Sequence, residues 1–279
     1  MIRTLPKLIT AHIDAWGTTF IIGAVCLWMH DDASAAGWLL VIAVTVGYWL
    51  GFAVNDYHDA PFDALDPRKG ARNFFAHVTL SPARARLIVA LILLALALPF
   101  LNFGWRGLAV YGLALLILWA YSAPPLRLKS VPGFDVVTHA LFVQTFPYVI
   151  PLVLLDFAWL PFDYVIIPAF LLASTASQLE QQVRDYEVDR RTERNFTTLV
   201  GRGTSALLVK IVTTILTLHL IINIVNGIIP AQFVPFALIS LPIALHRLVR
   251  GAHQPRSEWL FRVTVVTALG YAAILLIRT

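Results

Sequence analysis

The chain has 279 residues, of which 58% are apolar and only 13% charged, with a formal charge of +5. Soluble domains carry about a quarter charged residues, so this balance excludes an ordinary soluble protein and points to the membrane class. A single cysteine, Cys26, excludes a disulfide framework and a thiolate metal site, and basic residues confined to short loops give no nucleic-acid signal.

The first apolar run covers residues 14–30, and no small-residue cleavage site follows it. His12 and Asp14 stand just before it, placed to orient or deprotonate a second substrate, or, for Asp14, to cap a helix. The second run, 36–58, ends in Asn55-Asp56-Tyr57-His58-Asp59-Ala60-Pro61-Phe62-Asp63. On a helix Asn55, Asp56 and Asp59 fall within about 100° of one another and converge on one ion. Pro61 is expected to break that helix and leave Asp63 in the next turn or loop. The loop beyond brings Arg68, Lys69 and Arg72.

Runs at 84–102 and 105–122 follow, then Tyr121-Ser122-Ala123-Pro124-Pro125-Leu126-Arg127-Leu128-Lys129. The next two, 135–155 and 161–182, hold Pro147, Pro151, Pro161 and Pro168, which implies kinked helices packed inside protein. His139, within the fifth run, is an acid/base candidate or a hydrogen-bonded interior residue. Gln178, Gln181 and Gln182 form a polar stripe leading to Asp185-Tyr186-Glu187-Val188-Asp189, whose two aspartates share a helix face. Such a stripe lines a cavity, whereas Glu180 projects away from it and is given no catalytic role. Runs at 204–227, 230–249 and 258–277 complete nine spans.

With the amino terminus inside, all but Arg106 and Arg278 of the 21 basic residues fall on one face, the pattern of a cytoplasmic side. Both acidic motifs lie on that face. Oxygen ligands without His or Cys partners suit Mg²⁺, which takes a few carboxylates and completes its shell with water and phosphate oxygens. A calcium loop is excluded because the first motif lacks the glycine needed at its sixth position. Arg68, Lys69, Arg72, Arg127, Lys129 and Arg184 add the positive charge that a diphosphate–Mg²⁺ complex needs, or are solvated loop charges.

Three motifs resemble the UbiA-type intramembrane prenyltransferase superfamily. They are Asn55-Asp56-x-x-Asp59-x-x-x-Asp63, Asp185-x-x-x-Asp189 and the run from Tyr121 to Lys129. The run Asp66-Pro67-Arg68-Lys69-Gly70 looks like the branch that extends carotenoids or makes archaeal-type lipids. The resemblance implies a single domain over 1–279: an all-α membrane protein of nine transmembrane helices around a central cavity, capped by cytoplasmic loops. It implies two Mg²⁺ ions, one on Asn55, Asp56, Asp59 and Asp63 and the other on Asp185 and Asp189. Arg127 and Lys129 would meet the diphosphate, with Arg68, Lys69, Arg72, Arg184, Gln178 and Gln182 completing the substrate site and Tyr121 facing an allylic cation. The implied partners are an isoprenyl diphosphate, a lipophilic acceptor and membrane lipid. The alternatives are a terpene cyclase of the same superfamily and a cation-coupled transporter, which would place its ionisable residues near the bilayer midplane.

Overall fold

The computed structural model describes residues 10, 12–64, 70–71, 73–78, 81–192, 194–254 and 256–278; Arg68, Lys69 and Arg72 lie outside the described residues. The described residues form helices α1 (Ile13–Met29), α2 (Ala35–Asp63), α3 (Pro82–Leu101), α4 (Gly104–Ser122), α5 (Phe134–Ala140), α6 (Phe146–Leu154), α7 (Pro161–Thr192), α8 (Phe196–Val200), α9 (Arg202–Val225), α10 (Val234–Val249) and α11 (Glu258–Arg278). A π-helical turn, Leu141–Thr145, joins α5 to α6 as one span.

Among the described residues eight helices are long and apolar enough to cross a membrane. The remaining member of the nine expected spans, α1, has 17 residues and is shorter than these. Leu94, Leu98, Val225 and Val249 stand exposed on the outer helices, the apolar periphery expected of an integral membrane protein in lipid. The central helices α2, α5–α6 and α7 bury far more of their length than α3, α4 or α10.

Two expectations about helix ends are corrected. Pro61 does not break α2, which runs through it to Asp63. The proline lies in the last turn, where losing one N–H costs little, and Ala64 N still donates to Ala60 O at 3.1 Å. Likewise α7 continues ten residues past the expected end at 182, so Asp185 and Asp189 share one rod with the glutamine stripe.

One end of the bundle is locked by Asp163, fully buried, which accepts from Tyr148 Oη at 2.5 Å and from Leu160 N at 2.6 Å. His30 Nε2 lies 3.3 Å from the same carboxylate. Towards the other end, Glu180 on α7 is also fully buried and pairs with Arg247 Nε at 2.9 Å and Arg250 Nη1 at 3.0 Å. Arg247 also donates to Ser177 Oγ at 2.8 Å. Burial pulls the Arg250 guanidinium below its ordinary value, against the opposing attraction of Glu180. Arg247, Arg250 and Arg256, expected among the loop charges, are therefore buried residues, and Arg256 stacks 4.6 Å over Phe261. Replacing Glu180 with Ala leaves two buried guanidiniums without their partner, a loss of about 3–5 kcal/mol. Thermal unfolding in detergent should show the corresponding fall in midpoint.

Candidate active site

The ends of α2 and α7 and the segment after α4 meet over a cavity of about 330 Å³. Its polar end is bordered by Asn55, Asp59, Lys129, Asp185, Asp189 and Asn195, and its depth by apolar residues such as Leu96, Leu118 and Ile150. Tyr48, Phe52, Tyr121 and Phe142 supply aromatic wall.

Asp59 is the most heavily bonded carboxylate of the first motif. Lys129 Nζ lies 2.6 Å from both of its oxygens, and Arg127 Nη2 lies 3.2 Å from Oδ1. Asn55 donates to Asp59 Oδ2 at 3.0 Å and accepts from Lys129 Nζ at 2.8 Å and Ser122 Oγ at 3.2 Å. Arg127 reaches this position from a left-handed backbone, φ +38°, that non-glycine residues seldom adopt. Asp56 and Asp63 do not border the cavity. Asp56 faces His12 Nε2 at 2.8 Å, and the His12 ring stacks on Phe52 at 4.9 Å.

In the second motif, Arg184 grips Asp185 through two bonds of 2.8 and 2.7 Å and Glu258 through a third of 2.8 Å. Asp189 accepts from Asn195 Nδ2 at 2.9 Å. Gln178 lies 3.5 Å from Tyr121 Oη. Gln182, expected in the substrate site, borders the cavity but spends both ends of its amide inside the protein. Nε2 donates to Asp135 at 2.6 Å and Oε1 accepts from Thr197 N at 3.0 Å. Arg184 is similarly committed to carboxylates rather than open to an anion.

Sequence reasoning missed three organisers. Asn73, buried, donates to the Asp56 carbonyl and to Asp63 Oδ2, both at 2.8 Å, tying the motif's two ends together. Asn195 caps α8 in a reciprocal pair with Thr198, a spacing readable in advance. Asp135, fully buried near the start of α5, accepts from Gln182 and from Phe196 N.

Among the described residues no group of three or more His, Cys, Asp or Glu side chains stands ready to hold a metal ion unaided. Aspartates from two helices do border one cavity with amide oxygens beside them, and Lys129 Nζ rests against the Asp59 oxygens. That donor set fits Mg²⁺, which takes one or two carboxylates and draws its other ligands from water and phosphate.

Fold and site together define an integral membrane protein with an acidic and basic mouth over an apolar chamber. The model of the UbiA prenyltransferase family matches residues 16–266, and the chain belongs to that family. Membership places it among the prenyltransferases. A Corynebacterium glutamicum protein described as a lycopene elongase/hydratase is 24% identical over 240 residues, covering 84% of this chain and 81% of the relative. A UbiA homolog from Archaeoglobus fulgidus, solved bound to GPP and Mg²⁺, superposes with a TM-score of 0.73 at 18% identity over 96% of this chain and 98% of that one. The apo UbiA homolog from Aeropyrum pernix K1 gives 0.67 at 15% identity, over 95% and 98%.

Replacing Asn73 with Ala should weaken divalent-metal binding by about tenfold, the usual cost of losing a group that holds a metal-binding carboxylate in place. Mn²⁺ titration followed by electron paramagnetic resonance measures it.

Proposed function

We propose that the chain is a Mg²⁺-dependent prenyltransferase that ionises an isoprenyl diphosphate and passes the prenyl group to a lipophilic acceptor. The observation that carries this reading is one cavity whose mouth holds aspartates and Lys129 and whose depth is hydrocarbon. An anionic head and an apolar tail are the ligand such a space fits. By positive-inside bias, the mouth faces the cytoplasm.

Asn55, Asp56, Asp59 and Asp63 on one side and Asp185 and Asp189 on the other would hold two Mg²⁺ ions. These supply neutralising charge to the departing diphosphate. Lys129 and Arg127, already within reach of Asp59, bind diphosphate oxygens and stabilise the negative charge that grows as the C–O bond breaks. Tyr121, Phe142 and Tyr48 line the chamber and present aromatic faces to an allylic cation. The apolar wall keeps bulk water away from it. DMAPP and GPP, seen in the Archaeoglobus homologs, are donors of the right chemistry, and the corynebacterial lycopene elongase/hydratases support a carotenoid as acceptor.

Asp59→Asn and Asp185→Asn should each lower diphosphate release from DMAPP by at least about 100-fold in proteoliposomes, the scale of one lost electrostatic partner. Wild-type turnover in both variants with unchanged Mg²⁺ dependence overturns the reading.

A further inference from the structure

A second and larger chamber, about 500 Å³, lies beside the first between α1, α7, α9, α10 and α11. The two meet at Phe52, His139, Val143 and Gln181, which border both. The second chamber is apolar over most of its wall, and the charged residues that border it are Arg247 and Arg256. Both are already ion-paired, Arg247 with Glu180 and Arg256 with Glu258. Gln144 and Gln181 border it with no hydrogen-bond partner, and the fully buried hydroxyl of Thr213 has none either. Unsatisfied amides at membrane depth are costly unless they face water or a ligand.

His139 stands at the junction with one nitrogen committed. Its Nδ1 lies 3.1 Å from Ser174 Oγ, and that hydroxyl donates to the His139 carbonyl at 2.9 Å. With the hydroxyl hydrogen spent there, Nδ1 is the N–H donor and Nε2 carries the lone pair. The π-helical turn Leu141–Thr145 begins two residues later, a feature frequent at functional sites, and Gln144 within it borders the second chamber as His139 does.

We propose that the second chamber holds the prenyl acceptor, a long uncharged isoprenoid, and that Nε2 of His139 takes the proton released on coupling. The proposal rests on the prenyl-transfer reading. The bond between C1 and the diphosphate oxygen breaks, with both electrons leaving on diphosphate. A double bond of the acceptor gives its π pair to C1, forming the new C–C bond. The carbocation left on the acceptor loses a proton from the adjacent carbon to Nε2, which restores a double bond, and the imidazolium returns that proton to water. A mostly apolar lining whose two arginines are already ion-paired disfavours acceptors that carry phosphate or carboxylate.

The test uses the full chain in proteoliposomes with Mg²⁺, DMAPP as donor and lycopene as acceptor probe. Ala173 borders the second chamber and not the first, so Ala173→Phe should raise the KM for lycopene about tenfold by filling it, with the DMAPP KM unchanged. His139→Asn keeps a donor where Nδ1 stood and removes Nε2. Coupled product should fall by about 100-fold or more, the scale of a lost general base, while DMAPP Kd stays constant and reports an intact fold. Ser174→Ala, which frees the tautomer without removing the ring, should lower kcat less and leave both KM values alone. If Ala173→Phe raises the donor KM instead, or His139→Asn and Ser174→Ala both turn over at the wild-type rate, the proposal is overturned. It is overturned too if the wild-type protein ignores lycopene while prenylating 4-hydroxybenzoate, and the prenyl-transfer reading then stands. Wild-type protein that releases no diphosphate with any acceptor refutes that reading itself.

Discussion

Carboxylates packed at the end of an apolar bundle need cations, and the contact between Asp59 and Lys129 is where this protein meets that need most directly. Lys129 reaches both Asp59 oxygens and the Asn55 amide oxygen, so one ammonium ties the end of α2 to the segment after α4. Arg184 has the same role on the opposite side, joining Asp185 on α7 to Glu258 at the start of α11. Asp59 and Asp185, one in each of these ion pairs, both border the cavity. Lysine and arginine serve different ends here. A point charge on a flexible stem can exchange a carboxylate for a phosphate, whereas a guanidinium forked onto two carboxylates is held in place. Lys129 can therefore exchange its partner, whereas Arg184 belongs to the frame.

The architecture was legible because it rests on composition and on helix-end motifs. Apolar runs gave spans within a few residues of α3, α4, α9 and α10, and the two acidic motifs pointed to helix ends that meet over one cavity, bordered by Asp59, Asp185 and Asp189. Three things were not legible, each for a physical reason. Pro61 looked like a helix break, but a proline within the last turn forfeits one hydrogen bond where the ladder is about to end anyway. Arg247, Arg250 and Arg256 looked like loop charges because hydropathy does not register partners. Arg247 and Arg250 are met by Glu180, which lies 67 and 70 residues earlier in sequence and reaches them only after folding, and Arg256 lies over Phe261. Asn73 and Asp135 act through backbone atoms and amides, and no spacing rule ties Asn73 to Asp56 and Asp63 across an intervening loop.

Gln182 and Gln181 show how finely a polar stripe divides its labour. They are adjacent on α7 and both border the first cavity. Gln182 closes a circuit with Asp135, Thr197 and Phe196 that seats α8 against α5 and α7, so it belongs to the scaffold. Gln181 makes no such bond and borders both chambers. In a bilayer each buried amide needs an account of its partners, and the two glutamines have opposite accounts.

The same reasoning orders the histidines. His30 lies against Asp163 at the far end of the bundle, and His12 lies against Asp56 at the mouth, so both rings face a carboxylate. His139 has no carboxylate partner. It is held by a serine hydroxyl and its own carbonyl, with the remaining nitrogen at the junction of the two chambers. In both pairs the nitrogen that meets the carboxylate is Nε2, so that atom is already engaged. A ring held only by neutral groups in an apolar wall keeps a lone pair available. Of these three rings, the one with no carboxylate against it is the one that borders both chambers.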